Sequence, residues 1–326
     1  LGLPLPFMLG ALTLAAAYTV AWGQRGRDVQ FPKPLRSYFV AVIGTMIGSR
    51  FTPDLPALAL QMWPSFAAVL AFVLVAHVYS FAVLSRVGGY DRRTATYAGA
   101  PGGLIEAVIL GEKAGCDLRV LTVHHFARII VVVVTVPLLF LWLGGESVGS
   151  SAGQTMENGP SGGIDLAVIA VIAGAGMWLG RRLRLPAAQL VGPLLLCAAV
   201  QMSGLVELHS PGWLLSLAQL MLGIGLGAQF AGVTGRLLLR TAWLSVLAVA
   251  GMLAIGAGFA TALARVVPGG FEPMFVSFAP GGMTEMALIA LSLDASPVIV
   301  TAHHLVRIVF AVFAVGWFDR ALGPPG

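Results

Sequence analysis

The block Ala-Pro-Gly-Gly begins at Ala100 and again at Ala279, and each copy is followed at the same spacings by a Glu, a His-His pair and an Arg. Comparing 100–130 with 279–309 without gaps gives ten identities in 31 positions: Ala100, Pro101, Gly102, Gly103, Glu106, Thr122, His124, His125, Arg128 and Ile129 match Ala279, Pro280, Gly281, Gly282, Glu285, Thr301, His303, His304, Arg307 and Ile308. The same offset of 179 pairs Gly44, Gly48 and Phe51 with Gly223, Gly227 and Phe230, and an offset of 182 pairs Leu3, Pro4 and Gly10 with Leu185, Pro186 and Gly192. Such self-similarity marks a structural unit used twice. The first repeat is expected over 1–143 and the second over 164–326, joined by the polar linker 144–163, the only long run of turn-forming residues.

The repeated charges sit in a chain that is 58% hydrophobic and only 10% charged, with mean hydropathy +0.90, whereas soluble proteins carry about 25% charged residues. The solvent for most of this chain is therefore a bilayer. A helix needs roughly 20 apolar residues to cross it, and candidate spans lie near 5–22, 37–50, 57–84, 118–143, 164–180, 186–205, 213–230, 239–263 and 297–318. The fold class expected is an all-α polytopic membrane protein, because backbone groups cannot go unpaired in lipid and the alternation of a barrel strand is absent. Segments 100–111 and 280–293 open with Pro-Gly-Gly and are too short to cross, so they read as re-entrant or broken helices. Span 164–180 has no counterpart before Leu1, so one more N-terminal helix is expected in the natural protein or its ancestor. Cys116 and Cys197 suggest no disulfide framework.

Lysine and arginine orient the spans. If the Pro-Gly-Gly segments do not cross, the basic groups Arg25, Arg27, Lys33 and Arg36, then Arg86, Arg92 and Arg93, then Arg181, Arg182 and Arg184, then Arg236 and Arg240 all fall on one side. By the positive-inside rule that side is cytoplasmic. The linker, with Glu146 and Glu157, is then extracytoplasmic and the C-terminus cytoplasmic. The spans after Pro4 and Pro186 run in opposite senses, so the repeats are expected to be inverted. The basic clusters lie between spans and do not suggest nucleic-acid binding. The bacterial inner membrane is the expected location.

Inverted repeats with broken helices are a recurring plan of secondary transporters, whose substrate binds near the midplane where the repeats meet. Pro101, Gly102, Gly103 and Pro280, Gly281, Gly282 allow close backbone approach and leave forward-pointing N–H groups at a helix start, which attract an anion. His124 and Arg128 lie four residues apart on one helical face, as do His303 and Arg307. These residues are the expected substrate-binding set, and Glu106 and Glu285 the expected groups for proton or Na⁺ coupling. His125 and His304 point about 100° away and suit hydrogen bonds to carbonyls. A structural ion pair between each Glu and an Arg is the competing reading. His77 reads as packing. The Gly44–Gly48 and Gly223–Gly227 spacings read as helix contacts within the chain, with a homodimer seam as the alternative.

The stretches "APGGLIEAVILGEKAGCDLRVLTVHHFARI" and "APGGMTEMALIALSLDASPVIVTAHHLVRI" resemble the duplicated signature of the bacterial AbrB-like integral membrane proteins, labelled ammonia monooxygenase or its regulator. The resemblance covers nearly the whole chain; it implies a multi-pass membrane protein and says little of mechanism. A small soluble DNA-binding protein of the same name is excluded by composition. The function expected is a non-enzymatic secondary transporter of a small organic anion, a carboxylate or amino acid, without metal or other cofactor. The alternatives are a membrane oxygenase or metalloenzyme with His and Glu ligands, or a regulatory membrane protein linked to ammonia metabolism. No nucleotide-binding loop supports ATP-driven pumping.

Overall fold

The computed structural model describes residues 5–23, 31–53, 57, 60–144, 162–204, 208–231, 233, 235–293 and 295–322. Most of the linker, with Glu146 and Glu157, and the loop carrying Arg25 and Arg27 lie outside them. The described residues form thirteen α-helices and no strand: α1 Pro6–Gly23, α2 Lys33–Gly48, α3 Trp63–Ala82, α4 Arg92–Ala98, α5 Leu104–Lys113, α6 Leu118–Gly144, α7 Gly163–Arg182, α8 Ala188–Met202, α9 Gly212–Gly227, α10 Gly235–Leu263, α11 Phe271–Phe278, α12 Met283–Ser292 and α13 Pro297–Ala321. Six of them, α3, α6, α7, α9, α10 and α13, are long and apolar enough to cross a membrane, taking α3 and α9 with the π and 3-10 turns that follow them. Helix α8, at 15 residues, is shorter than the expected span 186–205, whereas α1 matches 5–22 in length and α2 starts four residues before the expected 37–50.

The duplication extends to the helix ends. Adding 179 carries α2 from Lys33–Gly48 onto Gly212–Gly227, α5 from Leu104–Lys113 onto Met283–Ser292, and the starts of α4 and α6 onto those of α11 and α13. Among the described residues α7 has no counterpart at these offsets. Helices α4 and α11, which the spans left out, are short, and α4 is capped by a side chain. Asp91 Oδ1 accepts from the backbone N–H of Arg93 at 3.1 Å and of Thr94 at 2.9 Å, filling two of the donors a helix start leaves open. Partial burial works against the Asp91 carboxylate, but hydrogen bonds from Thr94 and Arg93 outweigh it and hold the group below the usual carboxylate range.

The chain divides into two compact units, and each takes residues from both repeats. The first holds Leu1–Leu60, Pro137–Gly232 and Thr284–Ile299. Here glycines let backbones touch. Gly44 of α2 lies against the Leu190 carbonyl of α8, and its counterpart Gly223 of α9 lies against the Met8 carbonyl of α1. Gly48 meets Leu194, Cys197 and Ala198, while Gly227 meets Leu12, Ala15 and Ala16. The partners are themselves counterparts at offset 182, so the contact between α2 and α8 repeats that between α9 and α1 with the two copies exchanged. That exchange is the signature of a two-fold relation. On the far side of α8, Gly176 of α7 sits on Pro193 and Gly180 on Ala188 and Gly192.

The second unit holds Gln61–Val136, Val233–Met283 and Val300–Gly326. Helices α3 and α10 are repeat counterparts, and their contacts run in opposite order: Phe72 packs on Phe259 with ring centres 6.1 Å apart, Tyr79 donates to the Leu247 carbonyl at 3.0 Å, and Arg240 donates to the Gly88 carbonyl. They are therefore antiparallel. A π turn at Val83–Val87 closes α3 and sets Tyr90 against the start of α10. Helices α4 and α5 fold back on each other around the first Pro-Gly-Gly. Gly111 of α5 packs on Tyr97 of α4 and Leu121 of α6, and the Cys116 thiol, after α5, lies beside Thr94 at the start of α4. The chain thus enters and leaves this hairpin at one end. Arg93 pairs with Asp319 at 3.3 Å, placing the end of α13 there as well.

Candidate functional site

Each Pro-Gly-Gly interrupts a pair of short helices, and an arginine one helix later binds the interruption. Arg128 Nη1 donates to the Ala100 carbonyl, and Arg307 Nη1 donates to that of Ala279. Arg307 Nη2 also reaches the Gly281 carbonyl at 2.8 Å. These carbonyls belong to residues between helices, where no regular helical N–H serves them, so the guanidinium groups fasten the breaks. At the first break Gly103 adopts a left-handed conformation with φ +66°, which costs a residue with Cβ roughly 1–2 kcal/mol. Gly282 is not in that region, so the two breaks share their anchors without sharing every torsion.

Both guanidinium groups are almost wholly buried, Arg128 at 2% and Arg307 at 1% exposure. They are close enough to repel each other, and Gly102 of the first break backs the Nε edge of Arg307 in the second repeat. Among the described residues neither has a carboxylate within ion-pair distance, and each keeps an Nε–H without a partner. The ion pairs with Glu106 and Glu285 that competed as a structural reading are not formed. Glu106 is half-buried with its carboxylate folded back toward Gly103. Glu285 is buried at the start of α12 in the first unit, where the nearby positive charge is that of Arg36 on α2. Gly225 of α9 leaves room for the Arg36 side chain.

The histidine pairs divide by role. His125 Nε2 donates to the Tyr97 carbonyl at 3.1 Å and His304 Nε2 to the Val276 carbonyl at 3.0 Å, so these members tie α6 to α4 and α13 to α11. A carbonyl only accepts, so Nε2 carries the proton in both rings. His304 Nδ1 is then free to accept from Arg307 Nη2 at 2.9 Å, which orients the guanidinium. The other members face helices of the opposite repeat: His124 Nδ1 lies 3.3 Å from Ser245 Oγ on α10, and His303 Nε2 lies 2.8 Å from Ser65 Oγ on α3. His303 is stacked on Phe66 at 4.2 Å, whereas His124 meets the edge of Tyr90 at 6.2 Å. Ser65, Ser245, Phe66 and Tyr90 carried no signal in the sequence, since single polar or aromatic residues in apolar helices have no motif of their own. His77 is stacked on Phe318 at 4.5 Å, consistent with packing.

The expected set thus comes together in part. Pro101, Gly102, Gly103, His124, Arg128, Pro280, Gly281, His303 and Arg307 all belong to one compact unit together with Gly282 and Glu106, and only Glu285 is assigned to the other. The arrangement brings together two buried guanidinium groups, two Nε–H donors without a partner and backbone turns without Cβ bulk.

Comparison with known proteins is consistent with this architecture. The family profile described as "Transition state regulatory protein AbrB" matches residues 7–323. A protein of Escherichia coli (strain K12) named "Putative regulator AbrB" is 25% identical over 314 residues, covering 96% of this chain and 88% of its own length. A protein of Bacillus subtilis (strain 168) named "Uncharacterized protein YhjN" is 24% identical over 346 residues, covering 98% of this chain and 88% of its own. With a profile that spans nearly every residue and an all-helical, membrane-crossing fold behind it, the chain belongs to the AbrB family.

Proposed function

We propose that this protein is a secondary transporter of a small organic anion, a carboxylate or an amino acid, coupled to H⁺ or Na⁺. One observation carries the reading: two fully buried guanidinium groups, one from each repeat, hold their helix breaks without a carboxylate partner. An uncompensated cation in a low-dielectric interior costs several kcal/mol, and an anion shared between the two Nε–H groups would relieve it. The antiparallel run of the counterpart helices α3 and α10 supports inverted repeats, the plan in which a midplane site is exposed alternately to either side. Positive-inside logic places the ends bearing Arg93, Arg240 and Asp319 in the cytoplasm of a bacterial inner membrane, and the linker outside. The name of the E. coli relative favours a regulator instead, and a regulator that senses an anion would use the same receptor without moving it.

The test has two stages. Purified protein is screened with carboxylates, amino acids and ammonium salts, and a ligand present at about 100 times its Kd stabilises the fold by about 2.7 kcal/mol. The ligand found is then offered to proteoliposomes. Uptake above protein-free vesicles supports transport. Binding without uptake favours the regulator, and stabilisation only by copper or iron favours the oxygenase. Arg128→Ala and Arg307→Ala should each abolish the ligand's stabilisation, with Lys restoring it in part because a point charge lacks the planar fork. Glu106→Gln and Glu285→Gln should keep binding while changing its pH or Na⁺ dependence. Unimpaired binding in both Arg variants removes them from the site.

A further inference from the structure

The two repeats meet their histidines differently. Beside His124 stand Ser245, Thr241 and Tyr90, and an exposed arginine, Arg240, lies with its guanidinium carbon 5.5 Å from the centre of the Tyr90 ring. His124 and Thr241 are fully buried, and His124 Nε2 and Thr241 Oγ1 have no partner. The Tyr90 hydroxyl is turned toward Thr241. Such orphan groups are costly in a dry interior and point to something polar that visits them. One turn further along α6 is Arg128. A polar line therefore leads from the protein surface to the first guanidinium: Arg240, Tyr90 and Thr241, His124, Arg128.

The equivalent line around His303 is missing. At offset 179 the positions of Tyr90, Arg240, Thr241 and Ser245 are taken by Gly269, Gln61, Met62 and Phe66. Phe66 lies flat on His303, with the planes 21° apart. The same scaffold thus carries a polar approach to one guanidinium and an apolar plug beside the approach to the other.

We infer that Arg240, Tyr90, Thr241 and His124 form a loading vestibule that admits a small anion to Arg128 from the end of the unit bearing Arg240, and that Phe66 closes the corresponding approach to Arg307. This rests on the anion-binding reading above and adds the side of entry and the residues that line it. The end concerned is the one where Arg93 and Asp319 also lie. Arg93 is neutralised there by Asp319, so Arg240, which has no carboxylate within ion-pair distance among the described residues, is the cation that would draw an anion to the mouth past Asp117.

Thiol accessibility tests the vestibule without any knowledge of the substrate. In a background with Cys116 and Cys197 replaced by serine, Thr241→Cys and its counterpart Met62→Cys are exposed in vesicles to an anionic and a cationic methanethiosulfonate of similar size, added to both faces. Thr241→Cys should react at least tenfold faster than Met62→Cys. Its preference for the anionic reagent, relative to a free thiol, should fall roughly three- to tenfold when Arg240 is changed to Gln, as expected for one nearby charge in a wet mouth. If Thr241→Cys does not fold, Ser245→Cys against Ser65→Cys reads the same contrast, and Phe66→Ala should make Ser65→Cys reactive. Equal reactivity of the two sides, or an inert vestibule, overturns the proposal. A preference unchanged by Arg240→Gln overturns its anion selectivity. Reactivity as expected, in a protein with no carboxylate or amino-acid ligand in the screen, would keep the vestibule and sink the assignment of its cargo.

Discussion

A ring nitrogen that accepts from an arginine cannot also hold a proton, and in His304 this fixes both the charge and the tautomer: Nε2–H donates to Val276 and Nδ1 accepts from Arg307. His304→Gln can present a donor and an acceptor in similar places, whereas His304→Leu strands both partners. Leucine should cost about 1–3 kcal/mol and glutamine markedly less, read as detergent-solubilised melting temperature; equal losses would show that only ring volume matters. Cys116 offers a different check. Burial pushes its thiol up to about 11, so the thiolate is scarce at neutral pH and alkylation should be slow at pH 7, its rate climbing with pH until about pH 11. A rate that levels off near pH 8.5 would show an unburied thiol. At this scale Arg128, Arg307, Glu106 and the His pairs were legible because duplication singled them out. Their contacts were not. Carbonyl acceptors such as Ala100 and Tyr97 leave no mark in a sequence, and the asymmetry of Glu106 and Glu285 arises from where whole helices pack.

Among elements, the glycine seats make a paired prediction. A Cβ on Gly44 would press on the Leu190 carbonyl, and one on Gly223 on that of Met8. Backbone cannot move aside as a flexible side chain does, so Gly44→Ala and Gly223→Ala should each destabilise by about 1–3 kcal/mol, and by similar amounts, as measured by unfolding in mixed micelles. Gly10→Ala, where nothing lies within 4 Å of the added carbon, serves as the control. Unequal effects at the two seats would deny the two-fold relation. Long apolar helices were legible from hydropathy, and the breaks from their repeated Pro-Gly-Gly. Helices α4 and α11 escaped notice because each is only seven or eight residues long, and α4 opens with Asp91, Arg92 and Arg93 and reads as a polar loop until its cap is seen. The exact span of α2 also differed, since Pro34 starts a helix while Arg36 interrupts the apolar pattern.

For the whole molecule, each compact unit draws on both repeats, so neither half of the sequence has all the surfaces its own helices need. Fragments divided at Ser150 and co-expressed should copurify and regain the melting behaviour of the intact chain, whereas either fragment alone should be degraded; failure to associate would mean that the linker is required for assembly. Membrane orientation is testable on the same protein. Cysteines placed in 145–161 should label from outside intact cells and those in 181–185 should not, and the reverse pattern would invert the topology. The interchange of seats, Gly44 on Leu190 and Gly223 on Met8, also bears on ancestry. A polypeptide of half the length would carry both the notch and the ridge that fills it, and could have closed on a second copy of itself before the gene was doubled. Fusion removes the obligation to stay identical. The first copy was then free to acquire Tyr90 and Phe66 and the second Arg240 and Ser245, so that the two histidines of a once symmetric pair came to stand in unlike surroundings.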